Sequence, residues 1–272
     1  MNESVFRDNL FDGKKIFITG GATGMGFGFA KAFVEHGAEV FIASRKEERL
    51  KEASKKMEEM TGKPLLWKVM DVRDFESVES VSKFLADEWG HIDVLVNNAA
   101  GNFFCPAEEL SENAWRAVID IVLDGTFRVS KACLPLLKKN GGSVVNIIAN
   151  YAWNAAPYVA HSGAAKAGVL NLTRTLALEW SKYGIRVNAM CPGIVLTDSV
   201  KQNLLVDKSI VEKMEATIPM GGITEPEKMA QQVLYLCSPA AEVITGDMII
   251  ADGGQWLVGN AFYAIGKEFD SR

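Results

Sequence analysis

The sequence predicts an α/β fold: one doubly wound parallel sheet of about seven strands with helices on both faces. Three observations carry this. Short β-rich apolar runs alternate with helical patterns along all 272 residues. Most of the runs are apolar at consecutive positions, as strands buried on both faces must be. The first run ends in a glycine-rich turn, Thr19-Gly20-Gly21-Ala22-Thr23-Gly24-Met25-Gly26, that opens a helix.

The strand runs lie at 15–19, 39–43, 65–69, 93–96, 143–148, 186–190 and 248–251. Each is rich in Val, Ile, Phe or Leu and short enough for a strand. Between them, 22–36, 46–60, 75–89, 112–139, 160–182 and 226–236 carry helical spacing. Repeated βα units of this size fold with right-handed crossovers into a Rossmann-type arrangement. Thr224-Glu225-Pro226-Glu227 reads as a capping box with Pro in the first turn. No linker or second composition regime interrupts the chain, so residues 1–272 are expected to form one domain. Residues 196–222 show no strand pattern and a weak helix at 207–216; a loop of that length is expected to cover a substrate.

Apolar residues make up 48% of the chain and charged residues 23%, a globular composition. A net charge of -5 offers no basic field, so nucleic acid is not an expected partner. Cys105, Cys133, Cys191 and Cys237 are scattered without metal spacing and read as reduced thiols. The first residues are charged and show no signal-peptide core, and no apolar run is long enough to span a bilayer. A cytoplasmic protein without membrane attachment is the expectation.

Gly20, Gly24 and Gly26 let a turn tighten and the backbone approach a pyrophosphate, whose charge the following helix N-terminus favours. Thr23 and Met25 lie within the same turn. The spacing alone is a weak signal, but its place between a strand and a helix makes a dinucleotide site the better reading than a structural turn. The next strand run ends Ser44-Arg45-Lys46, where an NAD site usually carries an acidic residue. A planar Arg fork and a Ser hydroxyl suit a 2′-phosphate. The pair Arg45-Lys46 also sits badly with the helix dipole if it is only a solvated start. NADPH is therefore expected over NADH.

These residues resemble the short-chain dehydrogenase/reductase family over nearly the whole chain. Thr19–Gly26 is similar to its cofactor loop, Asp71-Val72 to its adenine contact, and Asn97-Asn98-Ala99-Ala100-Gly101 to its Asn-Asn-Ala-Gly motif with one extra Ala. Cys191-Pro192-Gly193, with Ile194, and Thr197 look like the segment that lines a nicotinamide, and Asp252-Gly253-Gly254 like the closing strand end. The family's usual catalytic Ser, Tyr and Asn correspond here to Ala149, Ser162 and Val122, and only Lys166 survives. An ordinary carbonyl reductase needs that tyrosine to protonate an alkoxide.

One branch of the family shows the same departures: the 2,4-dienoyl-CoA reductases, with the trans-2-enoyl-CoA reductases close by. Asn98-Ala99-Ala100-Gly101-Asn102-Phe103 and Asp120-Ile121-Val122-Leu123-Asp124-Gly125-Thr126 are similar to its motifs. The resemblance implies that Tyr151 and Asn102 donate to a thioester oxyanion, that Ser162 assists, and that Lys166 holds the nicotinamide ribose. It implies an acyl-CoA substrate. The alternatives are a trans-2-enoyl-CoA reductase, a carbonyl–alcohol oxidoreductase using Tyr151, and a non-catalytic NADP-binding protein. Taken alone, Tyr151 reads as a loop aromatic packing on Trp153, Asn102 as a turn cap, and Ser162 as a helix-start residue. Lys166 resists such a reading, because a lysine in an Ala/Gly/Leu helix must reach a partner. His161 reads as a structural neighbour of Ser162.

The helical run at 160–180 is apolar on nearly every side. The sheet covers one side, so self-association, with a homotetramer favoured, is expected to cover the other. Within the loop, Val200, Leu204, Leu205, Ile210, Met214 and Ile218 are candidate acyl-chain lining. Lys201, Lys208 and Lys213 read as solvated.

Overall fold

The computed structural model describes residues 5–197 and 208–258. Seven parallel strands form one sheet in the order β3-β2-β1-β4-β5-β6-β7. They are β1 (Lys15–Thr19), β2 (Glu39–Ser44), β3 (Leu66–Val69), β4 (Val94–Asn97), β5 (Gly142–Ile147), β6 (Ile185–Pro192) and β7 (Met248–Ala251). The strand order reverses between β1 and β4. Ligands in open parallel sheets bind at such a crevice, beyond the carboxyl ends of the strands.

The helices are α1 (Gly24–Glu35), α2 (Glu47–Thr61), α3 (Phe75–Trp89), α4 (Glu112–Ile119), α5 (Gly125–Leu137), α6 (Ala160–Trp180), α7 (Lys208–Glu215) and α8 (Pro226–Cys237). Alternation along β1 distributes them. Ile16 and Ile18 face a core built with Phe29 and Phe33 of α1 and Val233 of α8. Phe17 faces the opposite core, with Leu85 of α3, Val129 of α5 and Leu176 of α6. Both layers are fully buried, which explains the unbroken apolar runs.

Two expectations need correction. The helical run at 112–139 is broken by a π-helical turn at Asp120–Asp124. There the Thr126 hydroxyl donates to the Val122 carbonyl at 2.7 Å, and the start of α5 approaches Val72 so closely that only Gly125 fits. π turns of this kind occur often at functional sites. The capping box is absent: the residue preceding α8 is Glu225 and no side chain caps it. Thr224 instead forms a bridge with Val195, accepting from the Leu196 amide at 2.7 Å, which pins the 196–222 segment at both ends. Pro226 does occupy the first turn. Strand β6 also runs to Pro192, because Cys191 and Pro192 pair with Ile250 and Ala251. The weak helix appears as α7, with Asp207 outside the described residues.

A buried polar ladder crosses the sheet centre. Asn97 Nδ2 donates to Asn146 Oδ1 and to Ser130 Oγ, both at 2.9 Å. Asn146 Nδ2 donates to Thr173 Oγ1 at 2.9 Å, joining β4 and β5 to α5 and α6. Asn146→Ala leaves the Asn97 amide with only its bond to Ser130 and leaves Thr173 without that donor. Stability is expected to fall by about 2 kcal/mol, the cost of stranding buried polar groups. Urea unfolding reads it, and an unchanged midpoint would show that the ladder contributes nothing.

Candidate active site

Four chain segments meet at the crevice. Thr19 ends β1, and its hydroxyl accepts from the Asn98 and Ala99 amides at 3.0 Å each. Asn98 Nδ2 returns bonds to the Thr19 and Gly20 carbonyls at 3.1 Å. This bracket locks the ends of β1 and β4 together. Gly20 adopts φ +65° with its α-carbon facing Ala99, and a Cβ on Gly26 would overlap the Gly20 carbonyl. The turn is therefore closed to side chains and open to a ligand. Thr23 precedes α1 in an extended conformation and offers no side-chain cap, so the first helix amides remain available to an anion.

The crevice brings together Gly20, Thr23, Met25, Gly26, Ser44, Arg45, Asp71, Val72, Asn98, Ala99 and Ala100. Ser44 Oγ, at the end of β2, is buried without a hydrogen-bond partner among the described residues. Arg45, Lys46 and Arg49 line the same wall. An orphaned hydroxyl beneath three cations, opposite a glycine cradle, fits the phosphates of a dinucleotide. Arg49, in the first turn of α2, was not among the residues that the sequence pointed to. The signal available was its spacing, four residues after Arg45. The Arg73 guanidinium holds the Asp71 carboxyl below its ordinary range, through bonds at 2.6 and 3.0 Å.

Gly24, Pro192, Gly193, Ile194, Thr197 and Lys166 lie outside that lining. Gly24 and Thr197 approach each other across the mouth: a Cβ on Gly24 would stand 3.2 Å from Thr197 Cγ2. Gly193 continues β6, donating to the Ala251 carbonyl at 3.0 Å, and packs against Asp252 too closely for any side chain.

Beyond the crevice, β5 leads into a 3₁₀ turn, Asn150–Ala152, that carries Tyr151. Helix α6 lies across it. Ser162, 1% exposed, directs its hydroxyl to the Tyr151 hydroxyl at 3.4 Å, a long bond that leaves both groups able to serve a ligand. One turn on, Lys166 is buried and its ammonium donates to the Ile147 carbonyl at 2.5 Å. Burial lowers its pKa from 10.5 to about 8. Ala149 begins the Tyr151 turn, and Val122 is 1% exposed among Ile148, Ala165 and Val169. The two positions that match the family's Ser and Asn are thus apolar.

Asn102 is exposed, and no hydrogen bond joins it to Tyr151, Ser162 or Lys166. His161 Nδ1 accepts from the Ser162 amide at 2.9 Å, the neighbour role expected of it, while its Nε2 has no partner among the described residues. Phe103 meets its ring edge to face at 4.5 Å. The expected packing of Tyr151 on Trp153 is not found as a ring contact among the described residues; the Trp153 ring pairs with Trp256 at 6.0 Å. Of the candidate acyl lining, Ile218 is buried beneath Gly253, while Val200, Leu204, Leu205 and the Ile210 side chain lie outside the described residues, as does Lys201. No group of metal-binding side chains is found among the described residues.

This geometry can bind a dinucleotide and present two hydroxyls and one cation to a polarised oxygen. Comparison with known proteins agrees. A family model described as enoyl-(acyl carrier protein) reductase matches residues 20–255. A Bacillus subtilis protein named as a probable 2,4-dienoyl-CoA reductase is 43% identical over 90% of this chain and 97% of its own. The crystal structure of a short chain dehydrogenase from Bacillus anthracis superposes with a TM-score of 0.80 at 44% identity, over 91% of this chain and 98% of that one. A gluconate 5-dehydrogenase from Burkholderia cenocepacia, solved with NADP and tartrate, gives 0.85 at 27% identity, over 91% and 97%. The chain belongs to the short-chain dehydrogenase/reductase family, in the branch that holds the 2,4-dienoyl-CoA reductases, and is an oxidoreductase.

Proposed function

We propose that this protein reduces a 2,4-dienoyl-CoA with NADPH. The observation that carries the reading is the Tyr151–Ser162 hydroxyl pair beside buried Lys166, with Ala149 and Val122 where a carbonyl reductase keeps its relay. A site so built stabilises negative charge on oxygen and lacks the usual means of protonating an alkoxide. NADPH, when bound in the crevice, supplies a hydride, and the displaced electron pair settles on the conjugated thioester oxygen. Tyr151 donates to that oxygen, and Asn102, whose amide has no partner among the described residues, is the second donor. Ser162 supports the Tyr151 hydroxyl. Lys166 adds positive charge and holds the cofactor ribose, so that the oxyanion forms in a preorganised field. Protonation at carbon from water completes the reaction.

The 2′-phosphate of NADPH is assigned to Ser44, Arg45 and Arg49, on the strength of the orphaned Ser44 hydroxyl. A trans-2-enoyl thioester is the second reading, favoured by the description of the matching family model. Assembly into a homotetramer is supported by Leu178 of α6, 80% exposed, and Phe127 of α5, 46% exposed; a single-chain mass by light scattering would remove this part. The four cysteines are free, in keeping with a reducing, cytoplasmic setting. No helix among the described residues is long and apolar enough to cross a membrane.

Tyr151→Phe is expected to lower turnover of dienoyl-CoA by ~10²–10³, the usual effect of losing one oxyanion donor. Turnover indifferent to this change would sink the mechanism. Arg45→Ala should raise the KM for NADPH by about tenfold or more while leaving that for NADH unchanged, since loss of a charged hydrogen bond costs about 1.5–3 kcal/mol. Equal effects on both cofactors would remove the phosphate assignment.

The depressed pKa of Lys166 has a sign. Between about 8 and 10.5 the folded chain has lost a proton that the unfolded chain retains. Stability from this group therefore rises with pH across that window, while the site loses its positive charge. kcat/KM is expected to fall as pH rises through about 8; a flat profile across the window would show that the charge does not contribute.

A further inference from the structure

The C-terminal turn beyond β7 touches both the substrate segment and the turn that carries Tyr151. Asp252, 5% exposed, uses both carboxylate oxygens on it: Oδ1 accepts from the Gly254 amide and Oδ2 from the Trp256 amide, each at 2.9 Å. A short 3₁₀ turn, Gln255–Leu257, follows. Its Gln255 amide group donates to the Thr217 hydroxyl at 2.8 Å, and the Met220 amide donates to the Gly253 carbonyl at 3.1 Å. Gly253 lies against Ile218 with no room for a Cβ. The turn is thereby bonded to the stretch that follows α7.

Trp256 projects from this turn onto Trp153, with ring centroids 6.0 Å apart and planes at 76°. Trp153 is two residues beyond Tyr151, and the Trp153 and Asn154 amides close the same turn by donating to the Asn150 carbonyl at 3.4 and 3.1 Å. Trp256 remains 39% exposed and its neighbour Leu257 55%.

We propose that Trp256, fixed by Asp252 and seated on Trp153, is a positioning residue for Tyr151 and couples the 217–220 stretch to the placement of the catalytic hydroxyl. This rests on the reading of Tyr151 as the oxyanion donor. Movement of the 217–220 stretch is transmitted through the bonds to Gly253 and Gln255, then through the aromatic pair, to the Tyr151 turn. Asp252 is the pivot, since its two bonds fix the direction of Trp256.

An edge-to-face aromatic pair shifts an equilibrium by about two- to tenfold. Two readouts on the full chain with NADPH bound test the proposal. The first is hydrogen exchange of the Ala152, Trp153 and Asn154 amides, which needs no substrate. Trp256→Ala should speed it several-fold and Trp256→Phe should restore it. The second is single-turnover NADPH oxidation with a long-chain dienoyl-CoA. Trp256→Ala should slow the hydride step about five- to tenfold with NADPH affinity within twofold of wild type, and Trp256→Phe should recover most of the loss. Trp153→Ala should add little to Trp256→Ala, because the two act as one unit. Unchanged exchange at 152–154, additive effects of the two substitutions, or a loss confined to NADPH binding would each overturn it. If the wild type reduces no dienoyl-CoA, the functional reading fails while the exchange result still decides whether Trp256 positions the turn.

Discussion

The site depends on one buried cation. Lys166 lies within α6 among apolar and small residues, and its ammonium finds a partner in the Ile147 carbonyl at the end of β5. A lysine desolvated this far is costly unless its charge is satisfied, so the bond fixes how α6 crosses the strand end. Once that crossing is set, Ser162 falls one turn earlier on the same helix, over the turn that follows β5, and its hydroxyl meets Tyr151. The tyrosine need not be on the helix. Under the proposed function, that hydroxyl contact stands in for the helix tyrosine usual in the family.

The cofactor side is organised by a separate constraint, the bracket between Thr19 and Asn98 at the topological switch point. It binds the two strands that diverge there and holds the glycine turn against Ala99. The two halves meet where Gly24 approaches Thr197 and where β6 ends in Pro192-Gly193. Val195 and Thr224, which flank the 196–222 segment, are bridged at this junction.

Much of this was legible in the sequence because it follows from local pattern. The strand runs, the glycine turn and the Ser44-Arg45 pair are short-range signals, and the sheet built from them differs only at strand ends. What was not legible depends on long-range geometry. The π turn at Asp120–Asp124 arises where the Gly125 end of α5 approaches Val72, which is far away in sequence. The capping box failed because Thr224 was drawn into a bridge with Val195. Arg49 joins the crevice wall only because the fold of β2 and α2 places it there with Arg45. The resemblance to a family supplied Tyr151 and Asn102; spacing alone would have left both as loop residues. The pairing of Trp153 with Trp256, a hundred residues on, left no mark in the sequence.

The most direct test of the account is the identity of the product. Wild-type protein with NADPH and a trans-2,trans-4-dienoyl-CoA should consume cofactor and yield, by NMR, a thioester that has lost one carbon–carbon double bond and kept its carbonyl. Ketones and aldehydes should be inert. Reduction of those carbonyls to alcohols, with the dienoyl thioester untouched, would contradict it.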